Sequence, residues 1–140
     1  MPIGDSRTDV VADASALVFA AVNDGAYGVA VRARLRDSRC HAPHLIDAEY
    51  GSALRKLVRT GELDLASAEV ARVHGPRLID HRYSHHGLLG DSAWELRENL
   101  SYYDSLYVAL AAGLRVPLLT ADRKLRKAPN LPCRVELVEL

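Results

Sequence analysis

The chain has 140 residues, of which 49% are hydrophobic and 26% charged, and its 18 basic and 18 acidic side chains give a net charge of zero. These values indicate a single globular domain over residues 1–140, in which any nucleic-acid binding must come from local basic patches. No apolar run reaches the length of a membrane span and the polar start is unlike a secretory signal, so we expect a cytoplasmic protein without membrane contact. Cys40 and Cys133 are too far apart in sequence to form a metal or redox motif.

The hydrophobic pattern predicts strands that alternate with helices. Taken in chain order, it predicts a strand at 10–12, helices at 15–22 and 26–36, a strand at 38–42, helices at 44–60 and 65–73, a strand at 77–81, helices at 91–98 and 102–112, a strand at 116–119, a helix at 122–127 and a strand at 134–138. Such alternation is typical of an α/β fold. We expect a mostly parallel central sheet of about five strands, flanked by helices on both faces.

Asp13 stands at the most informative position in the sequence. It follows the apolar strand Val10-Val11-Ala12 and leads directly into a helix. Open α/β sheets bind their ligands at this edge, where the strands end. By itself, Asp13 is equally consistent with a simple helix cap.

Three further acidic residues are candidates for the same site: Glu49, Asp104 and Asp122. Asp122 also follows an apolar strand, which puts it at the same sheet edge as Asp13. Asp104 lies about one turn into a helix that is apolar on nearly every face, where a charge is costly unless it is paired or binds a cation. Ser101 precedes Asp104 by three residues in a pattern resembling a capping box, so a purely structural role stays open.

Four clustered carboxylates repel one another, and a hard divalent cation such as Mg²⁺ or Mn²⁺ is their natural partner. A metal held in this way lowers the pKa of a bound water and neutralises phosphate charge, so no nucleophilic side chain is required. The sequence contains no Gly-x-Ser-x-Gly elbow and no phosphate-binding Gly-rich loop. The acidic residues therefore favour metal-assisted phosphate chemistry.

Four segments together resemble PIN-domain nucleases, and in length and order they are most similar to the VapC toxins of bacterial toxin–antitoxin pairs. The segments are VADAS at 11–15, DAEYGSALRK at 47–56, SYYDSLYVALA at 101–111 and LLTADRKL at 118–125. The resemblance implies a PIN-like three-layer fold and cleavage of structured RNA, of the transfer or ribosomal class, with Mg²⁺ or Mn²⁺. It also implies a VapB-type antitoxin as partner and a homodimer.

The same resemblance assigns roles to individual residues. Carried over by position, the metal-binding and catalytic acids are the four named above: Asp13, Glu49, Asp104 and Asp122. In this interpretation Asp13 and Asp104 hold the main metal, Glu49 orients water or a second metal, and Asp122 completes the ring. Ser15 and Thr120 support the site by hydrogen bonding. Arg123 and Lys124 are named on a different ground: they belong to a basic patch that begins one residue after Asp122, and we expect them to contact the RNA backbone.

Two other functions remain open from the sequence. The first is a catalytically silent PIN-like module that binds RNA or protein. The second is a phosphotransfer domain of the receiver or phosphatase type, for which Lys124 is the nearest candidate lysine; the second acidic residue that such a domain carries on a mid-chain strand is missing.

Several aromatic and imidazole side chains are expected to be structural. His81, His85 and His86 lie near Asp80 but match no metal-binding motif, so we expect a solvated loop. Trp94 is expected to pack. Tyr102, Tyr103 and Tyr107 could stack on bases, although core packing is expected for at least two of them.

Overall fold

The computed structural model describes residues 4–138, which form a five-stranded sheet and seven α-helices. The elements, in chain order, are β1 (Thr8–Ala12), α1 (Ala14–Val22), α2 (Ala26–Arg36), β2 (Ser38–Pro43), α3 (Leu45–Arg59), α4 (Leu65–His74), a 3₁₀ helix (Gly75–Leu78), β3 (His81–Tyr83), α5 (Leu88–Trp94), α6 (Tyr102–Leu114), β4 (Leu118–Thr120), α7 (Arg123–Lys127) and β5 (Val135–Leu137). The predicted α/β fold is confirmed.

The strands are ordered β3-β2-β1-β4-β5, and each of the four pairings is parallel. The chain moves outward in one direction from β1 to β3 and then returns to the other side of β1 with β4. The gap between β1 and β4 is therefore the point where the strand order reverses. Such switch points open a crevice at the carboxyl ends of the strands.

A continuous hydrophobic core covers both faces of the sheet. Its central members are strand residues such as Val10 and Val11 together with helix residues such as Leu17, Ile46 and Val108, all at most 1% exposed. Strands that are buried on both faces need apolar residues at consecutive positions, which explains the uninterrupted Val10-Val11-Ala12 run. Within the described residues, no helix is long and apolar enough to cross a membrane.

Two predicted elements were misplaced. The strand expected at 77–81 is the 3₁₀ helix Gly75–Leu78 followed by the strand His81–Tyr83. Pro76 favours the first turn of a helix, and this preference outweighs the apolar Leu78-Ile79 pair that suggested a strand. The helix expected at 91–98 is α5, Leu88–Trp94, which begins three residues earlier, directly after Gly87.

Gly28 allows helix α2 to pack closely against the turn that precedes it. A Cβ atom at this position would lie 2.0 Å from the carbonyl oxygen of Asn23, a backbone atom that cannot move aside freely. The Gly28 N–H also donates to the Asn23 side-chain oxygen over 3.2 Å. A larger residue at this position would therefore collide with the backbone of the turn.

We expect Gly28→Ala to lower the free energy of unfolding by about 3 kcal/mol, because overpacking forces the backbone of the turn to shift. Chemical denaturation with a circular dichroism readout measures the change. Gly51→Ala is the matched control, since Gly51 is exposed within α3 and a Cβ there meets nothing within 4 Å. This control should be more stable than wild type by about 1 kcal/mol, and a similar loss in both variants would contradict the packing argument.

Candidate active site

Asp13 lies at the carboxyl end of β1, beside the switch point, and only 7% of it is exposed. It is the N-cap of α1, where its side chain accepts a hydrogen bond from the Ala16 N–H. The cap that the sequence allowed is therefore present. Capping and ligand binding are compatible here, since a carboxylate has two oxygens and about four lone-pair sites.

Neutral groups supply all the hydrogen bonds that the structure gives the Asp13 carboxylate. Oδ1 accepts from the Ser15 hydroxyl over 2.6 Å and from the Ala16 N–H over 2.9 Å, and Oδ2 accepts from the Thr120 hydroxyl. These donors fix the orientation of the carboxylate but bring no positive charge to it.

Ser15 and Thr120 also tie the loop after β1 to the loop after β4. The Ala121 N–H donates to the Ser15 hydroxyl oxygen over 2.9 Å, and the Asp122 N–H donates to the Thr120 hydroxyl oxygen over 3.0 Å. The two hydroxyl oxygens are themselves 3.2 Å apart. The two strand ends that carry Asp13 and Asp122 are thereby held together.

Three of the four acids lie close enough to affect one another's protonation. Burial raises the pKa of Asp13 to about 6, and the negative charge of Asp104 adds to this effect. The pKa of Asp104 is raised by burial and then by the charge of Asp122. Asp13, Asp104 and Asp122 therefore form a chain of neighbouring carboxylates at one sheet edge.

Glu49 reaches this region from α3 and is held by Tyr107 of α6. The Tyr107 hydroxyl donates to Glu49 Oε1 over 2.6 Å. The pKa of Tyr107 is strongly raised, first by burial, then by the bond and charge of Glu49, and also by the charge of Asp13. Tyr107 therefore stays uncharged, holds Glu49 by a hydrogen bond and lies near enough to Asp13 to be affected by its charge.

The four acids have no basic partner in the part of the chain that the structure describes. The ion pairs of residues 4–138 with N–O distances up to 4.0 Å include none of them. Buried carboxylates without a cation are costly, and an oxygen-only donor set is the kind that Mg²⁺ and Mn²⁺ take. The donor chemistry therefore fits a hard divalent cation.

The acids of residues 4–138 do not close around one point. No group of three or more carboxylate, imidazole or thiol side chains in that range is arranged to hold an ion. This arrangement still fits Mg²⁺, which usually binds one or two carboxylates and keeps water or phosphate oxygens as its other ligands. A full protein cage is not required for this ion.

A cleft of about 600 Å³ runs away from the acids between α1 and α3. Ser15, Glu49 and Ala121 line the part of the cleft next to the acids, and most of the remaining lining is apolar, with Phe19 and Leu57 as its largest members. Lys56, Thr60 and Glu62 add polar groups to this lining. Arg123 and Lys124 lie near this sheet edge at the exposed start of α7, where Asp122 caps the helix by accepting from the Lys124 N–H over 2.8 Å. The positively charged side chains of Arg123 and Lys124 therefore follow Asp122 directly in sequence, but neither forms an ion pair with the acids among the described residues.

Two expectations for aromatic side chains are wrong. Tyr107 is buried, but Tyr102 and Tyr103 are 40% and 58% exposed, and Trp94 is 57% exposed. The role of Tyr107 was missed by sequence reasoning. Its position three residues after Asp104 puts both side chains on the same helix face, which was the available signal.

The solvated loop expected for the three histidines is confirmed for part of the group. His85 and His86 lie in the loop between β3 and α5, and His86 is exposed. His85 also accepts the Leu45 N–H at the start of α3 over 2.9 Å. His81 belongs instead to β3, where it is exposed and stacks on His41, with ring centroids 4.9 Å apart.

Comparison with known proteins places this arrangement in a family. The PIN domain profile matches residues 10–131. The chain is 47% identical over 130 residues to ribonuclease VapC1 of Mycobacterium tuberculosis, covering 93% of this chain and 98% of that protein. It is 40% identical over 129 residues to ribonuclease VapC9 of the same species, covering 92% of this chain and 98% of the relative.

Solved structures have the same fold. The crystal structure of PAE2754 from Pyrobaculum aerophilum matches with a TM-score of 0.65 and 25% identity, over 92% of this chain and 91% of that one. The structure of VapBC2 from Rickettsia felis bound to a promoter DNA fragment matches with a TM-score of 0.68 and 11% identity, over 94% of this chain and 100% of the matched one. The chain belongs to the PIN-domain family, and within that family to the VapC ribonucleases.

Proposed function

We propose that the protein is a Mg²⁺- or Mn²⁺-dependent endoribonuclease that cleaves structured RNA of the transfer or ribosomal class. The observation that carries this proposal is the group of acids at the β1–β4 switch point: Asp13 is buried among neutral donors, and none of the four acids has a protein cation as partner among the described residues. A divalent ion held there would activate a water and neutralise charge on the scissile phosphate.

In this proposal each acid has its own role. Asp13 and Asp104 would bind the main metal, since Asp13 is buried, Asp104 is half-buried and the charge of Asp104 raises the pKa of Asp13. Glu49, oriented by Tyr107, would position water or a second metal, and Asp122, whose charge raises the pKa of Asp104, would complete the group of acids. Ser15 and Thr120 hold the Asp13 carboxylate in one orientation, which keeps its remaining lone pairs free for an ion. Arg123 and Lys124 are exposed cations available to the RNA backbone.

The proposed biological role is that of the toxin in a toxin–antitoxin pair, with a VapB-type antitoxin as partner and a homodimer as the assembly. Two observations support this proposal. The chain belongs to the VapC ribonucleases, and a largely apolar cleft, which Ser15 and Glu49 help to line, adjoins the acids. A partner segment in that cleft would cover the acids. Sedimentation of the purified chain, alone and with its antitoxin, tests both assemblies.

The test of activity uses the purified chain, freed of any partner, with total RNA from its host. We expect discrete fragments with Mg²⁺ or Mn²⁺, none with chelator, and none from Asp104→Asn. Cleavage should weaken as salt rises, because substrate binding by a chain of zero net charge depends on local patches. RNA binding that is indifferent to chelator, with no cleavage in any lane, would support the silent binding module instead.

Tyr107→Phe should lower kcat about tenfold or more with little change in KM. The variant removes a hydrogen bond to a charged acceptor, worth roughly 1.5–3 kcal/mol, and leaves Glu49 free to rotate. Initial rates at several RNA concentrations separate the two constants.

Tyr50→Phe is the matched control for this experiment. Tyr50 is also buried, and its hydroxyl donates to the Ala71 carbonyl oxygen over 2.7 Å, away from the acids. Its loss should affect stability while kcat is retained. Equal loss of kcat in both variants would mean that Tyr107 acts only through folding.

A further inference from the structure

A second pocket, of about 430 Å³, lies beside the start of α6 and outside the acidic site. Residues of the β3–α5 loop, of α5 and of α6 line it: His85, His86, Asp91, Trp94 and Tyr102, with two glycines. For a pocket of this size the proportion of aromatic and imidazole rings is high. Flat rings with polar groups between them are the features by which proteins bind an unstacked nucleobase.

The rings of this pocket are held in position before any ligand arrives. Trp94 and Tyr102 meet edge to face, with centroids 6.5 Å apart. The Arg97 guanidinium lies 5.0 Å from the centre of the Trp94 ring and also donates to the Trp94 carbonyl oxygen over 3.0 Å. Both aromatic residues nevertheless remain largely exposed, at 57% and 40%. A rigid but accessible ring pair loses little entropy when a base stacks on it.

The polar groups of the pocket can pair with the edge of a base. His85 Nε2 accepts the Leu45 N–H, so in the neutral ring the proton is on Nδ1, which remains a donor. Asp91 adds a carboxylate acceptor on the same lining. Gly90 lets α5 pack closely against the loop that carries His85, because a Cβ there would lie 2.3 Å from the His85 carbonyl oxygen. One donor and one acceptor between aromatic rings match the mixed hydrogen-bonding edge of a nucleobase.

The pocket and the acids share the first turn of α6. Tyr102 is the first residue of this helix and Asp104 is the third, so the two lie about 3 Å apart along the helix axis and on different sides of it. We propose that Trp94, Tyr102, His85 and Asp91 form a subsite for one unpaired base of the RNA substrate, at the same end of α6 as the acidic site. This inference rests on the proposed ribonuclease function and adds the part of the substrate that is recognised.

Trp94 is the only tryptophan in the chain, so its fluorescence reports on the pocket directly. Nucleoside monophosphates and a short unstructured RNA are titrated into the whole protein with chelator present, where no cleavage is needed. We expect saturable quenching by both. Ribose 5-phosphate, which has the phosphate but no base, should not quench. Because this measurement is independent of catalysis, its outcome is separate from that of the nuclease test.

Tyr102→Ala should weaken nucleotide binding about tenfold, the order expected for loss of one stacking surface. Tyr103→Ala is the matched control: Tyr103 is the next residue, is 58% exposed and does not line the pocket. If RNA cleavage is active, Trp94→Ala should raise KM about tenfold and leave kcat unchanged, and Trp94→Phe should restore most of the loss.

Three results would overturn the proposal. The first is quenching by ribose 5-phosphate equal to that by nucleotides, and the second is an equal loss in Tyr102→Ala and Tyr103→Ala. The third is a change in oligomeric state or antitoxin binding, without any change in nucleotide affinity, which would assign the exposed rings to a protein interface.

Discussion

Asp13→Asn should reduce the rate of RNA cleavage by about 10³-fold, in line with the loss of a main electrostatic group from an active site. The substitution keeps the shape of the side chain and lets an amide replace one carboxylate oxygen. It removes the charge that would bind the cation. Single-turnover cleavage of host RNA at saturating Mg²⁺ measures the rate.

Asp37→Asn is the matched control, because Asp37 is an exposed residue at the end of α2. It should cleave RNA at the wild-type rate. If Asp13→Asn retained activity in clean protein, the assignment of the metal site to this sheet edge would be wrong.

We also expect Asp13→Asn to have a higher free energy of unfolding than wild type when metal is absent. The pKa of Asp13 rises from about 3.9 in the unfolded chain to about 6 in the folded protein, mainly through burial. The folded state therefore binds the proton of Asp13 more tightly than the unfolded state does. The stability that the protonated carboxyl contributes is lost as the pH rises from about 4 to 6. A shift of about two pKa units corresponds to about 3 kcal/mol in the free energy of unfolding.

Urea denaturation of both proteins with chelator, at pH 4 and pH 7.5, measures the effect. The stability gained in Asp13→Asn should be small at pH 4 and approach about 3 kcal/mol at pH 7.5. Added Mg²⁺ should stabilise wild type and not the variant, because the cation favours the ionised carboxylate. A gain that does not depend on pH would mean that ionisation of Asp13 is not its source.

Asp9→Asn is a comparison variant for which we expect the opposite dependence of stability on pH. Asp9 lies on β1, the strand that ends just before Asp13. Hydrogen bonds from Arg39 and His41 lower the pKa of Asp9 well below its usual range. This carboxylate therefore stabilises the fold at neutral pH, and its contribution is lost as the pH falls through the acidic range. Asp9→Asn should be destabilised at pH 7.5 and close to wild type at low pH.

The sequence predicted those parts of the molecule that depend on local pattern. The spacing of apolar residues predicted the strand Val10-Val11-Ala12 and the helices that carry Glu49 and Asp104. The position of Asp13 directly after this strand predicted that it lies at the edge of the sheet where the strands end. The clustering of the acids indicates metal-assisted phosphate chemistry, and the separate role of each acid stays a proposal that rests on the family resemblance.

What the sequence could not predict depends on contacts between distant elements. The hydrogen bond from Tyr107 to Glu49 joins residues 58 positions apart, so the spacing of Tyr107 from Asp104 indicates a shared helix face but does not identify the partner of the hydroxyl. Trp94 was expected to pack, and core packing was expected for at least two of the three tyrosines of α6 because that helix is so apolar. Helix α5 ends at Trp94 and leaves its ring at the surface, whereas Tyr102 and Tyr103 are exposed in the first turn of α6.

The link between Asp13 and Thr120 also determines when the site can form during synthesis. The two residues are 107 positions apart, and Thr120 lies on a strand that is made near the end of the chain. A growing chain that has made β1, β2 and β3 still lacks Asp122 and the Thr120 hydroxyl that orients Asp13. Since a domain folds as a unit, the acidic site cannot form before β4 and Asp122 have been made. A product truncated after β3 would carry Asp13, Ser15 and Glu49 and would lack Asp104, Thr120 and Asp122.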